Sequence, residues 1–215
     1  MLPVVSYARK FNIVDHMPPV LSMALGAGET TLMRLTTAYA MLVNGGKQVS
    51  PTLIDRIQNR YGETIYRYDE RPCVGCNAIW TGQDTPILPD VRERVLSPQT
   101  SYQIVSMLEG VVTRGTGRSI RSVGKPLAGK TGTTNDSRDA WFVGFAPDLA
   151  VGVYIGFDTP RTLGEGETGG RIAAPVFRDF MSRALQDAPA TPFRIPPSVN
   201  LVRVNAQTGK LAKAG

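Results

Sequence analysis

Histidine occurs once in the 215 residues, at position 16, and cysteine twice, as Cys73 and Cys76 in "CVGC". That supply falls short of a tetrahedral zinc site, which needs four ligands from close in space, so no metal is expected. "CVGC" follows the polar "DERP" rather than ending a strand and opening a helix, the context a thioredoxin-like redox motif needs. The two cysteines are expected to form a local disulfide or to remain free thiols. Long apolar runs are also missing. Leu149 to Phe157 is the longest strongly apolar window, far too short to cross a bilayer as a helix. The amino end, "MLPVVSYARKF", lacks the basic region, apolar region and cleavage site of a secretory leader. That leaves a cytosolic chain or a piece of a longer one. No run of five basic residues exists either. The excess of 24 Lys and Arg over 18 Asp and Glu, a net charge of +6, is spread along the chain without a nucleic-acid-binding signature. Nucleic acid is therefore not an expected partner.

What is present is an ordinary globular composition, 42% apolar and 20% charged, with helix and strand periods in separate places. In "TTLMRLTTAYAMLVNGG", Leu32, Leu35, Tyr39 and Leu42 share a helical face, and Asn44, Gly45 and Gly46 end it. In "SPQTSYQIVSMLEGVVTRGTG", Ser97 is a natural N-cap before Pro98, and Ile104, Val105, Leu108, Val111 and Val112 form the stripe. In "AAPVFRDFMSRALQ", a helix from Pro175 is expected to turn Val176, Phe177, Phe180, Met181, Ala184 and Leu185 inward. Between the last two helices the period becomes two, and "KPLAGKTGTT", "DAWFVGFAP" and "LAVGVYIGFD" predict three successive strands. Connections this short make them antiparallel neighbours. Residues 60–90 predict a hairpin followed by an irregular surface excursion. From Pro189 a proline-rich stretch and a basic tail are expected to form an extension or linker.

The stretch "GKPLAGKTGTTNDSRDAWFVGF" admits two chemistries. Gly124, Gly129, Lys130 and Thr131 fit the nucleotide phosphate loop, G-x-x-x-x-G-K-[ST]. Lys130, Thr131 and Gly132 also spell K-T-G, the third motif of serine enzymes that react with penicillins. A phosphate loop requires a helix starting at the lysine, whose amides and dipole hold the phosphates. The residues that follow, "GTTNDSRD", are poor helix formers, whereas K-T-G requires a strand, which "LAGKTGTT" supplies. On a flat strand Lys130 points away from Thr131 and Thr133; a twist or bulge at Gly132 is expected to bring their polar atoms to one cleft edge.

The string from Gly129 to Phe145, with "LGAGETTLMRLTTAYAMLVNGG" before it and "GGRIAAPVFRDFM" after it, resembles the transpeptidase domain of class A penicillin-binding proteins, the bifunctional enzymes that polymerise and cross-link bacterial peptidoglycan. The resemblance covers about residues 1 to 188 and leaves 189 to 215 as the extension. It implies an α/β fold of α+β type, a largely antiparallel sheet flanked by helices that forms the carboxy-terminal part of the serine β-lactamase and transpeptidase fold. It implies acyl transfer through a serine acyl-enzyme, with peptidoglycan stem peptides and β-lactams as ligands and no cofactor. Lys130 resembles the lysine that attracts the substrate carboxylate. Thr131 and Thr133 would offer hydroxyls to it, Gly132 and Thr134 would line the same wall, and the Thr133 amide would be an oxyanion-hole donor.

The family's other two motifs, S-x-x-K and S-x-N, have only decoys here. Ser122 and Lys125 have the spacing, but Gly124 and Pro126 forbid the helix that would bring them face to face. Ser198 to Asn200 comes after K-T-G, in the extension, and His16 beside two prolines offers no triad. "MLPVVSYARKFNI" resembles sequence just downstream of S-x-N. The expectation is a carboxy-terminal portion of a longer protein, anchored in the bacterial inner membrane through its amino-terminal part and facing the periplasm. Such a portion would be inactive alone and prone to self-association along its exposed seam; the alternatives are a phosphate-loop nucleotide-binding protein and a non-catalytic interaction module built on the same fold.

Overall fold

The fold is that of a computed structural model, which describes residues 1–205 and 207–212; the end of the basic tail, Lys213 to Gly215, lies outside the described residues. In chain order the elements are α1 (Leu2–Lys10), α2 (Leu32–Val43), β1 (Arg56–Gln58), β2 (Thr64–Arg67), α3 (Pro98–Arg114), β3 (Ala128–Thr133), β4 (Asp139–Ala146), β5 (Leu149–Gly156) and α4 (Ala174–Ala184). The sheet is a meander in the order β3-β4-β5, antiparallel throughout. The register is unbroken, from Ala128 opposite Phe145 to Thr133 opposite Ala140. β1 and β2 form a separate, fully exposed hairpin.

Helix ends follow the sequence. Thr31 caps α2 by accepting from the Arg34 amide at 3.2 Å, and Gly45 and Gly46 beyond its end take left-handed φ values of 67° and 79°. Ser97 caps α3 by accepting from the Thr100 amide at 3.1 Å, with Pro98 in the first turn.

Alternation along the strands gives the sheet two faces. One carries Ala128, Val143 and Phe145 and packs under α2 and α3: Tyr39 meets the Phe145 ring edge-on at 6.3 Å, and Val105 joins Ala128 and Phe145 in one buried cluster. The opposite face carries Phe142 and Ala146, which pack with Ile120, Phe177 and Met181. The rings of Phe142 and Phe177 lie 4.7 Å apart. The sheet is thus a thin layer between two helical ones, with its core on both sides.

One expectation is corrected and two alternatives fall. The inward face of α4 is narrower than its apolar residues suggest: Phe177 and Met181 are fully buried, Val176 and Phe180 are each half exposed, and Ala184 is exposed. Ala174, Phe177 and Met181 make a single ridge against Phe142, and residues 176 and 180 fall on its flank. The phosphate-loop reading of Gly124, Gly129, Lys130 and Thr131 is overturned, because Lys130 and Thr131 lie inside β3 and no helix begins there to present amides to a phosphate. No bulge occurs at Gly132.

The proline-rich stretch returns to the domain. Phe193, 8% exposed, meets the Phe145 ring edge-on at 5.6 Å. Cys73 and Cys76 are joined by a disulfide, their Cα atoms 5.5 Å apart, in the irregular segment after the hairpin. Among the described residues no helix is long and apolar enough to cross a membrane.

Candidate active site

The K-T-G residues occupy an open edge. Among the described residues β3 has one strand partner, β4. Antiparallel ladders direct the backbone groups of alternate residues toward the partner. The Thr134 amide donates to the Asp139 carbonyl at 3.1 Å, which fixes the phase: Gly132 and Lys130 face β4, while the backbone amides and carbonyls of Thr131 and Thr133 face outward. The Lys130 side chain agrees with this phase. Its Nζ donates to the Thr131 carbonyl at 2.9 Å, so the ammonium lies along the free edge and is exposed. Lys130 reaches that edge by the length of its own side chain.

Thr131 and Thr133 share the face covered by the π-helical turn Gly169–Ala173 that leads into α4. The Gly169 amide donates to Thr133 Oγ1 at 3.1 Å. Gly169 lies so close to the sheet that a Cβ there would come within 2.3 Å of the Trp141 carbonyl and 2.4 Å of the Gly132 carbonyl. Thr131 Oγ1 lies 2.9 Å from the hydroxyl of Thr116, in the glycine-flanked turn after α3. Gly115 there abuts Val111, where a Cβ would meet the Val111 Cα at 2.9 Å, so the chain leaves α3 tightly and carries Thr116 back to the sheet. Two hydroxyls and two outward amides are thus fixed from three elements, beside one ammonium. Thr134 is placed differently: its Oγ1 accepts from the Asp139 amide at 2.8 Å and closes the turn into β4.

Gly132 leaves room on the other face for Trp141, whose Cβ lies 3.1 Å from where a Gly132 Cβ would be. Trp141 meets the Tyr154 ring edge-on at 4.7 Å, and Tyr154 donates to Asp139 Oδ1 at 2.9 Å. That hydrogen bond to a carboxylate raises the Tyr154 pKa above its ordinary value.

The residues set aside in the sequence stay apart. Ser122 lies in the short 3-10 segment Arg118–Val123 and donates to the Ser119 carbonyl at 3.3 Å; Gly124 then adopts φ 72°, and Lys125 bonds the Ala188 carbonyl instead. Ser198 accepts from Gln99, and exposed His16 lies beside Arg9. Sequence reasoning missed Thr116 and Gly169. Only the glycine pairs in "RGTGR" and "TGGR" hinted at close approach.

The family described as penicillin binding protein transpeptidase domain matches residues 19–182. Penicillin-binding protein 1A of Rickettsia conorii is 46% identical over 215 residues, covering 99% of this chain and 27% of that protein. A crystal structure of penicillin-binding protein 1A from Haemophilus influenzae superposes with a TM-score of 0.81 at 30% identity, over 97% of this chain and 34% of the other. A ceftriaxone acyl-enzyme complex of penicillin-binding protein A from M. tuberculosis matches at TM-score 0.57 and 25% identity, over 85% of this chain and 43% of the other. The chain therefore spans about a quarter of the length of its Rickettsia relative. The mixed fold of helices on an antiparallel sheet is the β-lactamase and transpeptidase fold. Because the family model matches residues 19–182, most of its length, this chain belongs to the penicillin-binding protein transpeptidase family.

Proposed function

We propose that these residues form the K-T-G wall of a serine D,D-transpeptidase that cross-links peptidoglycan and is acylated by β-lactams. The observation that carries the reading is the open edge of β3, where the outward amides of Thr131 and Thr133 stand beside the Lys130 ammonium. A substrate lying along that edge adds to it as a strand would, and its carbonyl oxygen can accept from the Thr133 amide. Lys130 attracts the carboxylate of a D-alanyl-D-alanine terminus or of a penicillin, Thr131 and Thr133 donate hydroxyl protons to it, and Gly132 lets β3 lie flat beside Trp141. Thr134 serves that wall by holding its turn.

The nucleophilic serine, its lysine and the S-x-N residues belong, in this reading, to further sequence of a longer protein, since the motif-spaced candidates here do not assemble. That longer protein would sit in the inner membrane through its own anchor, with this domain on the periplasmic side and a glycosyltransferase elsewhere in the chain. The free β3 edge would also let the 215-residue chain self-associate.

The test is intact-mass analysis after incubation with a reactive penicillin. The folded 215-residue chain is expected to gain no mass and the longer protein one acyl group, at a rate that falls about 100-fold or more in its Lys130→Ala variant. An adduct on Ser122 of the short chain would overturn the site assignment. A longer protein that never acylates would leave a binding module rather than an enzyme.

A further inference from the structure

We propose that a second site, independent of the K-T-G wall, binds a small polyanion in the cavity between the start of α3, the end of α2 and the proline-rich extension. The cavity encloses about 460 Å³, in the range that ligand pockets occupy. None of its lining residues belongs to β3, and α3 lines it with Pro98, Tyr102 and Val105 of its first half, whereas Thr116 follows the far end of α3. Seventeen helical residues separate the two ends by roughly 25 Å.

The charge around it is one-sided. Lys47, Arg92, Arg94 and Arg194 line the cavity with a single carboxylate, Asp90, among them. Asp90 is already bound by Lys47 and by Arg92, the latter through two bonds of 2.8 Å. Arg94 and Arg194 have no carboxylate partner among the described residues.

The backbone holds this arrangement in place. Lys47 and Arg94 are direct partners in an antiparallel bridge, the placement in which like charges destabilise a pair. Gly46 locks that bridge by accepting from the Val95 amide at 2.8 Å, and Arg94 is aimed by its bond to the Gly45 carbonyl at 2.6 Å. Asp90 neutralises the Lys47 side of the pair and leaves the Arg94 side open. The extension adds Arg194 to the lining and seats Phe193 in one buried cluster with Val105, giving the cavity an apolar part. Two guanidinium groups on a partly apolar wall, Arg94 held by its bond to Gly45 and Arg194 free to turn toward a ligand, suit a molecule with two or more anionic groups, carboxylate or phosphate, attached to a small apolar body.

The experiment is calorimetric titration of inorganic pyrophosphate and of citrate into the folded chain, at about 50 mM and about 200 mM salt, with acetate at matched ionic strength as the monoanion. One ion is expected to bind per chain, more weakly at the higher salt, and to raise the midpoint of the thermal melt. Arg194→Gln should weaken it about tenfold or more, and Arg60→Gln, an exposed cation of the β1–β2 turn, should leave it unchanged. Saturation by pyrophosphate alone assigns a phosphorylated ligand, and by citrate alone a polycarboxylate; either supports the site. Arg94→Gln should act like Arg194→Gln; if loss of its bond to Gly45 prevents folding, Arg194→Gln alone decides, since that side chain makes no hydrogen bond among the described residues. The proposal is overturned by the absence of saturable binding of either probe, by equal binding of acetate, or by an equal loss in Arg60→Gln, which would mean diffuse attraction to a basic chain.

Discussion

At the scale of single residues, the hydroxyls of Thr131 and Thr133 are each held from a different turn, by Thr116 and by the Gly169 amide. Lys130, Thr131, Gly132 and Thr133 could be singled out by type and order. Their partners could not, because the Thr116 contact with Thr131 spans 15 residues and the Gly169 contact with Thr133 spans 36, distances over which no local pattern speaks. The two partners should respond differently to substitution. Gly169→Ala puts a Cβ within 2.4 Å of two carbonyl oxygens, and the turn must shift off the sheet. We expect a loss of about 1–3 kcal/mol in urea denaturation. Thr116→Val removes an exposed hydroxyl and should cost about 1 kcal/mol or less. Equal costs would mean that the close approach at Gly169 is not what holds that turn to the sheet.

At the scale of elements, periodicity found α2, α3, α4 and the three-stranded meander but not how deeply each residue sits. Period tells which residues share a side of a helix; the width of the buried band depends on the neighbours, and for α4 these are a narrow strip that includes Ile120, Phe142 and Ala146. Phe177→Ala is therefore expected to cost about 3–5 kcal/mol and Phe180→Ala about 1 kcal/mol or less, although the sequence presents the two phenylalanines alike. The segment that pairs residues 46–48 with 93–95 was invisible as structure, since it is held mainly by a bridge and by charge. Hydrogen bonds from Arg92, and then from Lys47, hold the Asp90 pKa well below the usual carboxylate range. A depressed folded pKa gives stability that is fully present above the unfolded value, about 3.9, and is lost as pH falls through the folded one. The stability difference between the protein and Asp90→Asn should thus be constant near neutral pH and shrink only below about pH 4. A difference that already fades between about pH 5 and 7 would show that Asp90 is not the group responsible.

At the scale of the whole molecule, the resemblance of Gly129 to Phe145 and its flanking segments pointed to the family, but its extent and the proline content beyond it set a boundary after residue 188. Prolines stiffen a chain without deciding whether it leaves the domain. Here Phe193 returns to the layer beneath α2 and α3, against Phe145 and Val105, and Ser198 accepts from Gln99 in the first turn of α3. Lys125, just before β3, is tied to the carbonyl of Ala188, so the extension is gripped at its start as well. If the extension is part of the folded domain, Phe193→Ala removes a ring that is 8% exposed and should lower the unfolding free energy by about 3 kcal/mol. A chain ending at 188 should lose at least as much, because it also uncovers the rings that Phe193 shields. A linker predicts the opposite: both changes would leave the denaturation midpoint where it was, and the domain would end at 188. The two outcomes also bear on the polyanion cavity, whose Arg194 wall exists only if this stretch packs as part of the fold.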